Sequence, residues 1–323
     1  MTSREPILAN LSFHDYQPPE ADIAREVLAG LRREQPGLHP KFLYDAHGSR
    51  LFEGITRQPE YYPTATEEAL LRAKAPELAE RVPGDALLAE PGAGNCEKAR
   101  LLLEHWQPRG YMPIEISRDE LLWASRELAR DFPHLAIHAV CADYTRPIYW
   151  PDETPPPRMV FFPGSTLGNF EPAERGPFLQ RLRELAGDGG QLLLGADLHK
   201  DSAVLNAAYN DAAGYTAAFN LNMLDHLNQV LNAGFERDAF EHQAFYNEHA
   251  RRVEMHLRCH RDQQLQINGE TIKLSAGNSI HTENSYKFTR PELESLLEQA
   301  GFTVDTWWED PNKAFSLCLA NAA

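Results

Sequence analysis

The stretch that decides the fold is residues 86–98, which read Ala-Leu-Leu-Ala-Glu-Pro-Gly-Ala-Gly-Asn-Cys-Glu-Lys. An apolar run breaks at Gly92 and Gly94, and a helical pattern starts at Lys98. Two glycines let the backbone pass close to a ligand, and the first turn of the helix behind them has unpaired N–H groups. This order of elements predicts a nucleotide-type binding turn between a buried strand and a helix.

The next apolar run ends near Glu115, which follows Gly94 by 21 residues. An acid at the end of that strand can accept hydrogen bonds from both hydroxyls of a ribose. Where dinucleotide-binding turns have a third glycine, this chain has Glu97, a carboxylate that would repel a pyrophosphate. S-adenosylmethionine has no phosphate and carries a sulfonium and an ammonium group. The acids Glu90, Glu97 and Glu115 therefore favour it as the cofactor.

Composition limits the remaining classes of function. The chain has 323 residues, 42% of them hydrophobic, and a formal net charge of −16, so we expect two lobes in one unit. No basic run is dense enough to follow a phosphate backbone, which argues against nucleic acid and anionic membranes as partners. The four cysteines are far apart and no cluster has zinc spacing, so we expect no metal and reduced thiols in a cytoplasmic protein.

The ends and apolar runs of the chain give no sign of targeting. Residues 1–6 are polar, and no apolar run reaches the ~18–20 residues that a membrane-spanning helix needs. We therefore expect no targeting segment and no membrane partner.

Strands and helices are predicted to alternate between residues 86 and 198. The strands are expected near 86–90, 111–116, 135–141, 158–163 and 191–195, and the helices near 97–106, 118–130 and 172–186. This alternation predicts a parallel sheet covered by helices on both faces, with ligands at the carboxyl ends of the strands. A final helix at 291–300 and a hairpin formed by 302–308 and 314–320 are typical of class I methyltransferases.

The regions on either side of this sheet have other patterns. Residues 20–81 are predicted to be mainly helical, with one helix over 23–31 and another over 66–78 that has Thr64 as a candidate N-cap. The polar and aromatic stretch 44–63 between them is expected to be irregular and to form a lid or pocket wall.

Residues 199–288 are interpreted as an insertion into the sheet domain. Helical patterning over 201–234 is followed by an alternating strand at 252–258 and a hairpin with an Asn268-Gly269 turn. The predicted organisation is an α/β, Rossmann-like methyltransferase sheet with a smaller α+β acceptor-binding domain. Its parts are 1–81 as the helical part of the acceptor domain, 82–198 with 289–323 as the cofactor-binding domain, and 199–288 as the inserted acceptor-binding region.

Two polar segments are candidates for the acceptor site. Residues 163–171 directly follow the fourth predicted strand and should lie over the sulfonium end of the cofactor, or they serve only as the cap of the next helix. Residues 280–288 should be extended, with His281, Glu283, Ser285 and Lys287 on one face. Glu283 could accept from one N–H of an imidazole, and Ser285 could satisfy the second nitrogen in either tautomer. The alternative is an exposed polar strand face.

A longer set of segments points to a known family. In chain order they are Phe42-Leu-Tyr-Asp-Ala-His-Gly-Ser-Arg-Leu-Phe-Glu-Gly-Ile-Thr, Pro59-Glu-Tyr-Tyr-Pro-Thr, Gly164-Ser-Thr-Leu-Gly-Asn, Leu194-Gly-Ala-Asp-Leu-His-Lys-Asp, Tyr209-Asn-Asp-Ala-Ala-Gly, Ala218-Phe-Asn-Leu-Asn, Glu254-Met and Thr282-Glu-Asn-Ser-Tyr-Lys-Phe. In these segments, and over roughly residues 20–320, the chain resembles the bacterial L-histidine Nα-methyltransferases of ergothioneine biosynthesis.

The resemblance implies transfer of three methyl groups from S-adenosylmethionine to the α-amine of L-histidine, giving hercynine. Among the implied acceptor-site residues, those that hold the amino-acid backbone and carry catalysis are Tyr61, Asn169 and Tyr209, with the Gly164 backbone close by. Those that recognise the imidazole are Glu283 and Ser285, with Met255 packed on the ring. The implied cofactor-binding residues are Tyr44, Gly92, Gly94, Lys98, Glu115, Asp143 and Tyr144. The family also implies a monomer with a small-molecule substrate.

Three other functions stay open at this point. One is the same chemistry on another amino acid or small amine. Another is a catalytically silent cofactor-binding subunit that partners an iron-dependent, sulfur-inserting enzyme, although an intact set of Asn169, Tyr209, Glu283 and Ser285 argues against it. The third is a nicotinamide dehydrogenase, against which Glu97 argues.

Overall fold

The chain is described by a computed structural model over residues 8–17, 20–148, 150 and 157–323. The polar first six residues, on which the expectation of no targeting segment depends, lie outside these ranges. Within the described ranges, no helix combines the length and the apolar character that crossing a membrane requires.

The strands and helices alternate as the sequence predicts. The strands are β1 (Leu11–Asp15), β2 (Leu87–Pro91), β3 (Gly110–Glu115), β4 (Ala136–Cys141), β5 (Arg158–Phe162), β6 (Gln191–Asp197), β7 (Phe240–Asn247), β8 (Arg252–Cys259), β9 (Gln263–Ile267), β10 (Glu270–Leu274), β11 (Ser279–Tyr286), β12 (Phe302–Glu309) and β13 (Phe315–Ala322). The helices are α1 (Glu20–Leu31), α2 (Ala46–Thr56), α3 (Tyr62–Arg81), α4 (Glu97–Leu103), α5 (Arg118–Asp131), α6 (Pro172–Ala186), α7 (Ser202–Ala208), α8 (Tyr215–Leu231) and α9 (Arg290–Gln299).

The large sheet has the strand order β1-β4-β3-β2-β5-β6-β13-β12. The strands from β1 to β6 are parallel to one another, whereas β13 is antiparallel to both β6 and β12. The predicted parallel sheet and its terminal antiparallel hairpin are therefore confirmed. Because β2 is central and its neighbours on either side are β3 and β5, the loops after these strands meet at one edge, where ligands of such sheets bind.

Apolar side chains alternate between the two faces of this sheet. Met159 and Phe161 of β5 pack into the layer that contains α3, α4 and α5, while Val160 and Phe162 pack into the layer that contains α6 and α9. All four side chains are fully buried. Burial on both faces explains why the parallel strands read as continuous apolar runs in the sequence.

A second apolar cluster joins the helical N-terminal region to the inserted region. It contains Val27 of α1, Ile55 of α2, Phe219 of α8 and Leu257 of β8. The strands of this part form a three-stranded antiparallel sheet in the order β11-β8-β7 and the separate β9-β10 hairpin, which turns at Asn268-Gly269 as predicted. This arrangement brings the end of the inserted region, β11, close to the loop after β5.

Several local predictions were wrong. The stretch expected to be irregular contains α2, whose first turn is capped by the Asp45 side chain, an acceptor from the Gly48 N–H. Helix α3 begins at Tyr62 with Pro63 in its first turn, so Thr64 lies inside the helix and is not its cap. The helix predicted over 201–234 is broken between α7 and α8, and β1 was not foreseen at all.

Candidate active site

The carboxyl edge of the large sheet and the β11 strand of the small sheet line one cavity of about 620 Å³. Every residue that the sequence predicts for cofactor or acceptor binding lies on its wall. They are Tyr44, Tyr61, Gly92, Gly94, Lys98, Glu115, Asp143, Tyr144, Gly164, Asn169, Tyr209, Met255, Glu283 and Ser285.

The glycine turn follows β2. Gly92 and Gly94 have φ angles of 74° and 52°, in the left-handed region that glycine adopts at little cost. The backbone N–H groups of Gly92 and Ala93 donate to the carbonyl of Ile114, which fixes the turn against β3. A Cβ atom on Gly92 would lie 3.4 Å from the Tyr144 ring, an ordinary contact, so the positive φ rather than the space favours glycine at this position.

Two acids lie at the ends of the next two strands. Glu115 accepts from the Gly94 N–H at 3.0 Å and from two backbone N–H groups that follow it. Burial raises the pKa of Glu115, and these backbone hydrogen bonds offset part of the effect. Asp143, after β4, accepts from Lys41 Nζ at 2.8 Å. Burial alone would raise the pKa of Asp143, but hydrogen bonds, the largest from Lys41, outweigh it and lower the pKa.

A buried acid that the sequence analysis missed joins the two halves of the cavity. Glu67 of α3, with no exposed surface, accepts from Lys98 Nζ at 2.6 Å and from the Gly164 N–H at 2.8 Å. It shares the buried face of α3 with Leu70 and Leu71. The sequence signal that could have found it is an acid at an otherwise apolar position of a helix. Such an acid is buried only when it is paired, so its position indicates a partner.

The residues predicted for the acceptor site contact one another directly. Asn169 Nδ2 donates to Glu283 Oε1 at 3.1 Å, and the Tyr209 phenol donates to Ser285 Oγ at 2.7 Å. Met255 of β8 is paired with Glu283 in the β8–β11 ladder and is 1% exposed. A carboxylate, a hydroxyl, an amide and a thioether are thus gathered within one wall of the cavity.

The prediction that His281 shares a face with Glu283 was wrong. A bulge at Thr282 interrupts the ladder between His281 and Glu283. An extra residue in one strand reverses the alternation of side chains beyond it. The His281 ring accordingly stacks on the ring of His256, its ladder partner, with centroids 4.7 Å apart. The expectation that Glu283 and Ser285 lie on one face is unaffected, because both follow the bulge.

Aromatic rings enclose the space beside these polar groups. Tyr44 lies in edge-to-face contact with Phe52 and Phe219, at centroid distances of 5.7 and 5.2 Å. Phe52 in turn contacts Tyr61 at 6.2 Å, and Tyr61 contacts Tyr209 at 6.1 Å. Burial raises the pKa of Tyr61 and of Tyr209 well above its ordinary value, so both phenols remain protonated near neutral pH.

Behind Ser285 lies a buried ion pair. Lys287 Nζ is 2.7 Å from Asp197 Oδ2, and both side chains are 1% exposed. Lys200 contacts the other oxygen of Asp197, and the Tyr62 phenol donates to the same carboxylate. Asp197 ends β6, so this pair links the large sheet to the segment that leaves β11. The lysine follows Ser285 by two residues in the sequence, but its partner could not be read from the pattern.

We expect the stability of the free protein to depend on the titration of Glu283. Burial raises the pKa of Glu283 to about 7, against the opposing effects of the Lys287 charge and the Asn169 hydrogen bond. The unfolded chain binds this proton only below about 4.3, the ordinary value for glutamate. The folded state therefore holds a proton that the unfolded chain has lost, and the resulting stability disappears as pH rises through about 7.

Glutamine does not titrate, so a Glu283→Gln variant should not lose this stability. Its free energy of unfolding, relative to that of the unmodified protein, should therefore increase as the pH is raised from about 5 to about 8. Urea unfolding of both proteins at the two pH values, without ligands, measures the change. A difference in the free energy of unfolding that does not vary with pH would contradict the predicted buried, proton-binding carboxylate.

Comparison with known proteins supports the family suggested by the sequence. A model of the histidine-specific, SAM-dependent methyltransferase family matches residues 23–322. The histidine N-alpha-methyltransferase of Mycolicibacterium smegmatis is 40% identical over 306 residues, which cover 92% of this chain and 94% of that protein. The corresponding protein of Mycobacterium tuberculosis is 38% identical over the same shares of the two chains. Ergothioneine biosynthesis protein 1 of Neurospora crassa is 31% identical over 91% of this chain and 34% of its own length. The chain belongs to the SAM-dependent, histidine-specific methyltransferase family.

Proposed function

We propose that this enzyme transfers three methyl groups in succession from S-adenosylmethionine to the α-amine of L-histidine, giving hercynine, the first intermediate of ergothioneine biosynthesis. The observation that carries the proposal is the placement of Glu283 and Ser285 beside Asn169 and Tyr209 on one wall of the cavity. A carboxylate and a hydroxyl complement the two nitrogens of an imidazole. The amide of Asn169 and the second lone pair of the Tyr209 phenol oxygen are proposed to contact the amino-acid backbone.

The cofactor half of the cavity fits S-adenosylmethionine. A Cβ atom on Gly94 would meet nothing within 4 Å, so the turn leaves open space above its backbone. Glu115 lies at this turn and offers carboxylate oxygens to ribose hydroxyls, and Asp143 offers acceptors to an adenine amino group. Tyr44, Lys98 and Tyr144 complete the proposed cofactor-binding set. When bound, the cofactor supplies an electrophilic methyl group on a positively charged sulfur.

The protein's contribution is mainly positioning. The α-amine must be uncharged and aligned with the methyl carbon, and holding both in place removes much of the entropic cost of the reaction. Asn169 is proposed to contact both the carboxylate and the α-amine, while Tyr61 and Tyr209 enclose the amino-acid backbone, with the Gly164 backbone close by. Because both phenols stay protonated, we assign them hydrogen-bonding rather than proton-accepting roles. Met255 packs on the imidazole ring.

We also propose a cellular location and an oligomeric state for the enzyme. The four cysteines are buried free thiols, which is consistent with a reducing, cytoplasmic environment. We propose that the enzyme acts as a monomer, because the residues of the proposed site all line one cavity of this chain.

Glu115→Ala should weaken S-adenosylmethionine binding by about ten- to a hundredfold, since removing an acceptor from buried hydroxyls costs ~1–3 kcal/mol. Titration calorimetry measures the affinity. Glu97→Ala is the matched control for the loss of a negative charge near the turn, because the Glu97 side chain is 56% exposed. Equal effects of the two substitutions would contradict a direct contact between Glu115 and the ribose.

The proposed function is tested by incubating the purified protein with methyl-labelled S-adenosylmethionine and a mixture of the twenty amino acids. Mass spectrometry should show label on histidine as one, two and then three methyl groups. Label on another amino acid alone would reassign the acceptor, and cofactor binding without any transfer would indicate a silent cofactor-binding subunit.

A further inference from the structure

Lys287 is an almost fully buried lysine in the wall of the acceptor half of the cavity, next to Ser285. Its ammonium group donates to Asp197 Oδ2 at 2.7 Å, to Ser285 Oγ at 2.8 Å and to the Tyr209 phenol oxygen at 3.3 Å. An ammonium group has three N–H donors, and these three contacts use all of them. The side chain is therefore held in one position.

Asp197 makes the burial of this cation possible. Burial alone would raise the pKa of Asp197, but the charges of Lys287 and Lys200 outweigh it, and the pKa is lowered. The carboxylate thus stays ionised and balances one of the two lysines. The other positive charge is not balanced within this group of three. The Lys287 ammonium group places a positive charge 2.8 Å from Ser285 Oγ.

The same contacts determine the hydrogen-bonding role of Ser285. Its Oγ accepts from Lys287 at 2.8 Å and from the Tyr209 phenol at 2.7 Å. A hydroxyl oxygen has two lone pairs, so both are occupied. The hydroxyl hydrogen is left to donate toward the cavity that Ser285 lines. The sequence alone allowed Ser285 either to donate or to accept, and the contacts of Lys287 and Tyr209 favour donation.

We propose that Lys287 is a positioning residue that makes the acceptor pocket select histidine with an uncharged imidazole ring. This role rests on the proposed function and adds to it the protonation state of the accepted ring. An uncharged imidazole has one N–H, which Glu283 accepts, and one bare nitrogen, which accepts from Ser285. An imidazolium has N–H groups on both nitrogens. It would place one of them against the Ser285 hydroxyl hydrogen and the positive charge behind it.

The charged and titratable groups that face Lys287 come from several elements. They are Asp197 at the end of β6, Lys200 in the following loop, Tyr61 just before α3, Tyr209 after α7, Tyr246 on β7 and Glu283 on β11, while Tyr62 of α3 contacts Asp197 and Lys200. Burial raises the pKa of each of the four phenols, which therefore stay neutral. Glu283 titrates near pH 7, so a test must cancel its effect.

Two substrates that compete in one reaction mixture cancel the effect of Glu283 titration. The enzyme, saturated with S-adenosylmethionine, receives L-histidine and β-(1,2,4-triazol-3-yl)-L-alanine together at low concentration. The triazole offers an N–H and bare nitrogens like imidazole, but its ring stays uncharged between pH 5.5 and 7.5. The ratio of the two methylated products by mass spectrometry gives the ratio of kcat/KM values. Titration of Glu283, or of any other protein group, affects both substrates together.

For the unmodified enzyme, the histidine-to-triazole ratio should fall about tenfold from pH 7.5 to pH 5.5. This is the loss of uncharged imidazole for a ring with an ordinary pKa of about 6.5. In Lys287→Met, which removes the donor and its charge but keeps the length of the side chain, Ser285 becomes free to accept. The ratio should then change by less than about threefold over the same range, because imidazolium is now tolerated.

Lys200→Met is the matched control. It also removes one lysine from Asp197, but Lys200 donates to Asp197, Tyr62 and a backbone carbonyl and makes no contact with Ser285 among its hydrogen bonds in the described ranges. A purely structural effect of breaking the ion pair would appear in both variants, whereas the proposal predicts that Lys200→Met keeps the tenfold dependence. If Lys287→Met does not fold, Tyr209→Phe removes the second donor to Ser285 and should likewise reduce the dependence.

Two results would overturn the proposal. A pH-independent ratio in the unmodified enzyme would mean that imidazolium is accepted, with Ser285 donating to Tyr209 instead of to the ring. A tenfold dependence that persists in Lys287→Met would mean that Lys287 does not set the selection. Failure of the proposed function is a different outcome, since histidine would then not be methylated at either pH by any of these proteins.

Discussion

A Glu283→Leu enzyme is expected to lose at least about 100-fold of its activity toward histidine, or about 2.7 kcal/mol of transition-state stabilisation. Leucine removes the carboxylate and offers no acceptor to the ring N–H, which would be left unpaired against an apolar side chain. The pocket would also stop rejecting apolar rings. In the unmodified enzyme such a ring leaves the buried Glu283 carboxylate without a hydrogen-bond donor, and in the variant that carboxylate is absent. Discrimination against phenylalanine and tryptophan should therefore relax in the same variant.

Competition among histidine, phenylalanine and tryptophan, with products counted by mass spectrometry, measures both effects. Asn284→Ala is the matched control, because Asn284 is the next residue of β11 and its amide donates away from Glu283, to Glu171 Oε1 at 2.7 Å. It should keep the histidine preference. Undiminished histidine activity in Glu283→Leu, or an unmodified enzyme that prefers phenylalanine or tryptophan, would refute the assignment of Glu283.

Asn169→Ala should reduce kcat/KM for histidine by about 100-fold while cofactor affinity stays unchanged. The amide is proposed to hold both the carboxylate and the α-amine, so its loss misaligns the attacking nitrogen, and small misplacements of reacting atoms are costly. The same amide donates to Glu283 Oε1, and truncation also leaves that carboxylate with one fewer donor. Both consequences act on the acceptor and not on the cofactor.

Steady-state kinetics and cofactor titration by calorimetry separate the two halves of this prediction. Thr166→Ala is the matched control within the same short turn, since the Thr166 hydroxyl donates to the Pro163 carbonyl and not to the acceptor residues. It should retain most of its turnover. Normal methylation of histidine by Asn169→Ala would show that the acceptor pocket has been placed wrongly.

The parallel sheet could be predicted because its signals are local. Gly92 and Gly94 mark the end of β2. Strands that are buried on both faces appear in the sequence as short, continuous apolar runs. Strand β1 could not be found in this way. Its sequence, Leu-Ser-Phe-His-Asp, is partly polar because it lies at the edge of the sheet, and only its pairing with β4 makes it a strand.

The candidate site was predictable to the extent that its residues occur in recognisable segments. The contacts among them were not, because they join distant parts of the chain. Glu67 and Gly164 are separated by 97 residues, and the sequence around either residue does not indicate that the two are in contact. The Thr282 bulge was equally hidden, since an uninterrupted alternation of side chains is the natural expectation for a strand. The wrong face assigned to His281 follows from that one residue.

The pairing of β6 with β13 has a consequence for the synthesis of the chain. Strand β6 contributes Leu192, Leu193 and Leu194 to the two apolar layers, and its outer edge pairs with the last strand, which is made about a hundred residues later. Until β13 leaves the ribosome, this leucine-rich edge has no partner in the native order. Unpaired apolar edges are templates for association between chains. We therefore expect the growing polypeptide to be prone to association until β13 has been made, and we expect a chain without this eight-residue strand to keep that unpaired edge.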